Sequence, residues 1–231
     1  MKCFFILIIA VCIWVVSLPC ILSAQPFQIE GYVDVDNYYN LYTGDPTGNQ
    51  LTYRGYGSGP WYTTNHPPIQ YSLTTSDLCI YFAAWSDWGA IQGLLHNLRI
   101  DGVPAWFDDP RWEVYPTNTG YCCGYGGPMS IDELQAYIQV ANQSNGWRAL
   151  TLGEMNDGTF PNSCNGWLFN PSPNIDHGAR WAWYDSGNGP GICDPWDGFD
   201  HGEYLIFRLC VELPVPTDGN TWGQIKALYK D

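Results

Sequence analysis

Basic residues are scarce in this chain. Nine Lys and Arg stand against 23 Asp and Glu, a formal net charge of −14 at pH 7 over 231 residues. Holding a polyanion needs a basic patch that displaces its counterions, so nucleic acid is not an expected partner. Histidine is thin as well: His66, His96, His177 and His201 are the only four, and none falls in an HExxH spacing. The chain has no GxSxG elbow, no phosphate-cradling glycine loop and no CxxC pair of the kind that closes a zinc site. It also lacks an internal repeat and a linker marking a second domain. These absences leave an enzyme as the least supported class, and residues 25–231 read as a single domain.

Long apolar runs are few, and the first is not part of the fold. Lys2 precedes an apolar stretch from Phe4 to Leu22, with Ser23-Ala24 before Gln25 as a small-residue cleavage site. Residues 1–24 are therefore expected to be a signal peptide, with an uncleaved membrane anchor as the rival that the length permits. Pro19, Cys20 and the single flanking base favour cleavage, which places the protein outside the cell.

The second long run, Leu78 to Trp85, is rich in the aromatic and apolar types of a buried strand. After the turn residues Ser86-Asp87-Trp88-Gly89, Leu94, His96, Leu98 and Ile100 alternate with Leu95, Asn97 and Arg99. A period of two predicts a strand with one face buried and the other mostly wet. Gln28 to Thr43 reads as a first strand pair turning at Asp36-Asn37, and Gly44 to Trp61 as loop. Ile69–Leu73, Arg111–Tyr115, Ala179–Tyr184 and Tyr204–Leu213 supply further strands, while Tyr121–Pro128, Thr151–Ser172 and Asp185–Gly202 read as loops. Ser130-Ile131-Asp132-Glu133 is a capping box opening the one helix, near 130–142, with an apolar stripe of Ile131, Leu134, Ile138 and Ala141. Pro214 and Pro216 end the sheets, and the tail 214–231 has room for one short amphipathic helix. The expected architecture is mainly all-β: an antiparallel β-sandwich or jelly roll, one inserted short helix and long loops pinned by disulfides.

With the leader gone, Cys79, Cys122, Cys123, Cys164, Cys193 and Cys210 remain. Six cysteines in an exported chain predict up to three disulfides, with about 15 connectivities open. Cys79 and Cys210 both lie in apolar strand-like runs, so a bridge between those strands is the leading pairing; Cys122 and Cys123 then pair with Cys164 and Cys193. Asn142-Gln143-Ser144 is a glycosylation acceptor at the helix end. Asp194, Asp197 and Asp200 recur every third residue in a glycine-rich loop and are candidate ligands for a structural calcium ion, although the spacing fits no EF-hand. No other cofactor is expected. Asp108, Asp109 and Glu113 can be posed as a glycosidase acid and base, but neighbouring carboxylates on extended chain face different ways, and solvated loop residues are the expectation. His96, on an alternating strand, is expected to be structural.

Aromatic residues are the true excess, with 12 Trp, 16 Tyr and 9 Phe. Tyr53, Tyr56, Trp61, Tyr62, Trp85 and Trp88 lie in or beside predicted loops and are the candidate glycan or subunit contacts.

The segment VDVDNYYNLYTG resembles the DDxYxLYxNG hairpin of secreted jelly-roll modules of the galactose-binding-like type. AIQGLLHNLRIDG is similar to the GLLxxL strand of those modules, and ARWAWYDS followed by YLIFRLCVELP to their ARWIW…FRxxxxL pair. The pair closes this chain instead of preceding the hairpin, as in a circular permutation, and the hairpin tip departs from Asn-Gly at Tyr42-Thr43-Gly44. The resemblance implies an extracellular β-sandwich of the sort found in surface structures and fibrils of algae and other protists, or as an accessory domain of glycoside hydrolases. Two functions are expected from these readings. The first is a non-enzymatic structural subunit of a fibril, cell coat or surface appendage, associating with itself or with other extracellular proteins, its N-terminal strand available to a neighbour's sheet edge. The alternative is a secreted carbohydrate-binding, lectin-like module whose partners are glycans. A membrane enters only if the leader is retained.

Overall fold

An unbroken run of buried side chains makes the spine of the structure: β5, Cys79–Trp85, is buried at all seven positions. The computed structural model describes residues 26–36, 38–59, 67–85, 92–120, 128–157, 171–184 and 203–211. Residues 1–24, where a leader is expected, the tail 214–231 and the cysteines at 122, 123, 164 and 193 lie outside the described residues.

The described chain is all-β apart from one helix, and its strands form two antiparallel sheets packed face to face. In the smaller sheet, β5 lies between β2 (Tyr38–Gly44) and β12 (Glu203–Cys210), with β3 (Leu51–Ser58) outside β2 and β9 (Trp112–Gly120) outside β12. In the larger sheet, β1 (Phe27–Asp36) has β4 (Ile69–Thr75) on one side. On its other side run β6 (Gly93–His96) and then β7 (Arg99–Ile100). β8 (Val103–Pro104) turns back on β7, while β11 (Arg180–Trp183) and β10 (Thr151–Met155) extend the sheet past β6.

The core follows from the period of two. Ile29, Val33 and Val35 of β1 and Leu94 of β6 face Tyr39 and Leu41 of β2, Phe82 and Ala84 of β5, and Leu205, Phe207 and Leu209 of β12. Each large apolar side chain so buried contributes about 1.5–3 kcal/mol before entropy is charged against it.

Helix α1, Ile131–Gln143, lies on the other face of the small sheet. Ser130 caps it reciprocally: its hydroxyl accepts from the Glu133 N–H at 3.2 Å, and its own N–H donates to the Glu133 carboxylate at 2.9 Å. The Ser130 hydroxyl, which also donates to the Glu133 carboxylate at 2.7 Å, and the Ser130 N–H hold that carboxyl below its ordinary range. Leu134, Ile138 and Ala141 point down onto Tyr42, Cys79, Tyr81, Ala83 and Ile206. Beneath the helix, directly opposed Cys79 and Cys210 form the expected strand-to-strand disulfide, with Cα atoms 4.1 Å apart.

Four expectations need correction. The segment 28–43 is not a hairpin, because β1 and β2 belong to different sheets. Both strands carry an apolar face, and placing them in opposed sheets buries Val33 and Val35 against Tyr39 and Leu41. The stretch 44–61 is not all loop, since it contains the eight-residue β3. Its glycines hide the strand in the sequence yet make it possible: a Cβ on Gly57 would lie 2.1 Å from the Tyr39 ring, and one on Gly55 would lie 2.8 Å from the Tyr71 hydroxyl. The stretch 151–172 likewise contains β10. Finally, the alternating strand 94–100 is broken at Asn97-Leu98, and both its faces are covered from Leu94 to Leu98. Part of that cover is the segment 171–179, which reaches the sheet through hydrogen bonds from the Asn97 amide to the Asn174 carbonyl and from Ser172 to Asp34. Asn97 also accepts from the Tyr32 N–H.

β1 is paired on both sides within its own chain. It is therefore not a free strand that a neighbour can take up without first leaving its sheet, as the expected N-terminal exchange requires.

Candidate functional site

The outer face of the small sheet holds two zones. The helix covers one. The other is a row of four aromatic rings, one from each of four neighbouring strands: Tyr56 (β3), Tyr38 (β2), Trp85 (β5) and Tyr204 (β12). Tyr38 stacks on Trp85 at 5.4 Å and 17°, and on Tyr56 at 6.4 Å and 19°. Trp85 meets Tyr204 at 5.5 Å. The rings stand on the sheet and pack against one another, so most of their faces are already used.

Exposure divides the predicted contact residues. Trp85 is 1% exposed and forms the floor of the row, not a contact surface, because Tyr38, Tyr56 and Tyr204 pack around it. Tyr53 and Tyr56 are 49% and 40% exposed. Three residues apart on a regular strand, they would face opposite ways. The register steps over Arg54, however: Leu41 pairs with Gly55 and Tyr42 with Tyr53. This bulge puts both tyrosines on the outer face, Tyr53 against Tyr42 at 5.5 Å and Tyr56 opposite Asn40. The displaced Arg54 side chain turns to Thr43, Thr75 and Asp77, with its salt bridge to Asp77 at 3.2 Å. Trp61, Tyr62 and Trp88 lie outside the described residues.

Asn40 sits under this surface, and nothing in the sequence marked it. It is fully buried, flanked by Tyr38 and Tyr42 along β2, and neither its amide nitrogen nor its oxygen has a hydrogen-bond partner. The Trp85 indole N–H, on the neighbouring strand, is unpartnered too. Buried polar atoms without partners cost about 1–3 kcal/mol each. A lone polar residue alternating with Tyr39 and Leu41 reads as an ordinary solvent-facing position, so the sequence carried no distinguishing signal.

β3 and β4 form one side of the sandwich. Gly55 of β3 touches Tyr71 of β4, Arg54 reaches Thr75, and Tyr39 and Tyr71 share a hydrogen bond at 3.1 Å between the sheets. Among the described residues, the far edges of both strands pair with no other strand. Residues 51–76 contain no Asp, Glu or Lys, and Arg54 is their only Arg. With 14% of the whole chain charged, a stretch of that length would ordinarily hold three or four charges. Both edge strands thus lack carboxylates in a strongly acidic protein, and their one charge, Arg54, is turned back to Asp77, whereas edge strands are normally guarded by charge.

The posed catalytic carboxylates do not converge. Asp108 is exposed, Asp109 is taken up by the Arg111 guanidinium, and Glu113 by Arg208. His96 is a core residue packed among Phe82, Phe107 and Trp112, and its Nδ1 accepts from the Leu98 N–H. Burial pushes its imidazole down to about 3. His177 is exposed, and His66 and His201 fall outside the described residues, as do Asp194, Asp197 and Asp200. Among the described residues, no three His, Cys, Asp or Glu side chains are grouped to hold a metal. No helix among them is long and apolar enough to cross a membrane.

Asn142, the predicted glycan acceptor, is exposed in the last turn of α1, but its amide is engaged. The nitrogen donates to the Pro46 carbonyl at 3.0 Å, and the oxygen accepts from the Trp147 indole at 2.8 Å and from Arg208 at 2.9 Å. Arg208 lies over the Trp147 ring, 3.7 Å from its centroid. Compared with family models, with curated proteins and with solved structures, the chain finds no significant match.

Proposed function

We propose that this chain is a non-enzymatic structural subunit of an extracellular assembly built from β-sandwich protomers. One observation supports the reading above the others: the side formed by β3 and β4, open among the described residues and free of carboxylates along both strands, with Tyr53 and Tyr56 exposed beside it. Tyrosine buries much area at small entropic cost and is enriched where proteins meet. The leader-like N-terminus, the Cys79–Cys210 bridge and the motifs resembling secreted jelly-roll modules agree with a place outside the cell.

The test is negative-stain microscopy and sedimentation of the purified protein across ionic strength. Ordered oligomers are expected, strengthening with salt as the repulsion between copies of net charge −14 is screened. Tyr53→Ala with Tyr56→Ala should weaken them. A monomer at every salt and protein concentration would overturn the proposal.

A second reading, glycan binding, is favoured by the unpartnered Asn40 amide and Trp85 N–H beneath Tyr56. A sugar hydroxyl reaching them on outward rotation of Tyr56 would satisfy both. Binding on a glycan array that is lost in Asn40→Ala and retained in Tyr53→Ala would support it. An array with no signal would dismiss it.

A further inference from the structure

We infer that the joining element is the edge of β4, which pairs antiparallel with β4 of a second copy about a two-fold axis; this rests on the structural-subunit reading. The unpaired backbone of a sheet edge accepts an extended strand and nothing else so well, which fixes the shape of the partner. Of the two open edges, β3 is bent by a bulge at Arg54, which is itself a charged residue. β4 is regular over seven residues, with every pair in register against β1 from Ile69–Val33 to Thr75–Phe27. Its sequence, IQYSLTT, contains no charge, proline or glycine. Within β4 itself no charge, proline or bulge guards the edge, and among the described residues no strand pairs with it.

Charge selects the second copy as the occupant. Two molecules of net charge −14 repel over most of their surfaces. On the β4 side they meet without any carboxylate on either approaching strand. Asp77, two residues past the end of β4, is neutralised by Arg54 at 3.2 Å, and the first acidic residue behind the strand is Glu30, which pairs with Ser72 one strand in. Across a β4–β4 junction the two Glu30 positions are three strand spacings apart, about 14 Å, beyond the screening length of about 8 Å at physiological salt. The outward side chains Gln70, Ser72 and Thr74 are exposed, and Ser72 and Thr74 already share hydrogen bonds with Gln28 on the same face. In the pair that hydroxyl and amide ladder continues into its own copy. A two-fold pair uses the same patch twice and closes on itself, so it supplies one contact of a larger assembly, leaving other surfaces for growth.

Charge reversal tests this directly. Ser72 is exposed but stands opposite Glu30 and accepts from the Gln28 amide, so Ser72→Glu should lower the thermal melt slightly while raising the dimer dissociation constant at least about tenfold by sedimentation. Ser72→Lys, set opposite Glu30, should keep the melt of the parent and still raise the dissociation constant when alone, and mixing the two variants should restore pairing as a mixed dimer. Val140→Glu, on the exposed face of α1, should leave association unchanged. Assembly that persists in Ser72→Glu would overturn the β4 junction and leave the structural-subunit reading standing. A wild-type protein that stays monomeric would overturn both.

Discussion

Replacing His96 with leucine should flatten the acid dependence of stability. The imidazole lies fully buried between the sheets, ringed by Phe82, Phe107 and Trp112, with no carboxylate among those neighbours to hold a proton in place. Burial lowers its pKa to about 3, whereas in the unfolded chain an imidazole titrates near 6.5. The unfolded state therefore takes up the proton first. The contribution is fully present above about pH 6.5 and is lost as the pH falls towards 3. Linkage over that interval gives about 5 kcal/mol in all, and about 2 kcal/mol by roughly pH 5. Leucine removes the titration. It also leaves the Leu98 N–H without its acceptor, a cost of about 1–3 kcal/mol that does not vary with pH. The assay is urea denaturation with disulfides intact, at roughly pH 7.5 and 5, comparing wild type with His96→Leu. Wild type should lose about 2 kcal/mol more than the variant between the two. Equal losses would refute the argument, because they would mean that His96 takes its proton without unfolding the core.

The Cys79–Cys210 bridge closes a long loop, with a sequence separation of 131 residues, so replacing both cysteines by alanine should lower stability by up to about 5 kcal/mol on the chain-entropy account. A denaturation midpoint unchanged by the double substitution would contradict that, and the bridge should resist reductant in the native protein because Cys79 is fully buried. Asn142→Ala removes three hydrogen bonds that tie helix, loop and sheet together, at a cost of about 1–2 kcal/mol given their exposure. Wild type and variant both prepared without glycans should show this loss on comparison of thermal melts; no loss there would contradict the tie through Asn142.

How legible the fold was depended on whether a strand's pattern came from its own residues or from its neighbours. β5 and β12 announce themselves because both of their faces are covered, one by the opposing sheet and one largely by α1, which leaves continuous apolar runs. The capping box at Ser130 and Glu133 is a local device and was readable as such. The wrong hairpin at 28–43 has a different origin. Two adjacent strands separated by Asp-Asn look the same in sequence whether they pair or enter opposed sheets, and only the long-range partners of β1 and β2 distinguish the cases. The site was half legible. Tyr53 and Tyr56 were picked out as aromatics near loops, and they are exposed. Trp85 was not separable from them, because its burial comes from Tyr38, Tyr56 and Tyr204 on other strands. Asn40 was invisible for the same reason.

An edge strand is ordinarily the loosest part of a sheet, and a contact surface on a fraying edge would lose much of its binding energy to ordering. β3 escapes this through three ties along its length. Tyr39 of β2 fills the space over Gly57, Tyr71 of the opposite sheet sits against Gly55, and Arg54 is held by Asp77 and Thr75. Any side chain larger than hydrogen at Gly57 would collide with the Tyr39 ring, so the residues that disguise the strand are the ones that lock it to the sandwich. The bulge has a double effect: it turns Arg54 back onto the molecule and delivers Tyr53 and Tyr56 to a single face. The two exposed tyrosines are therefore presented from backbone already fixed in place, and association need not pay again for ordering it. That preorganisation, more than the mere presence of aromatic rings, distinguishes Tyr53 and Tyr56 from the many tyrosines that serve the core.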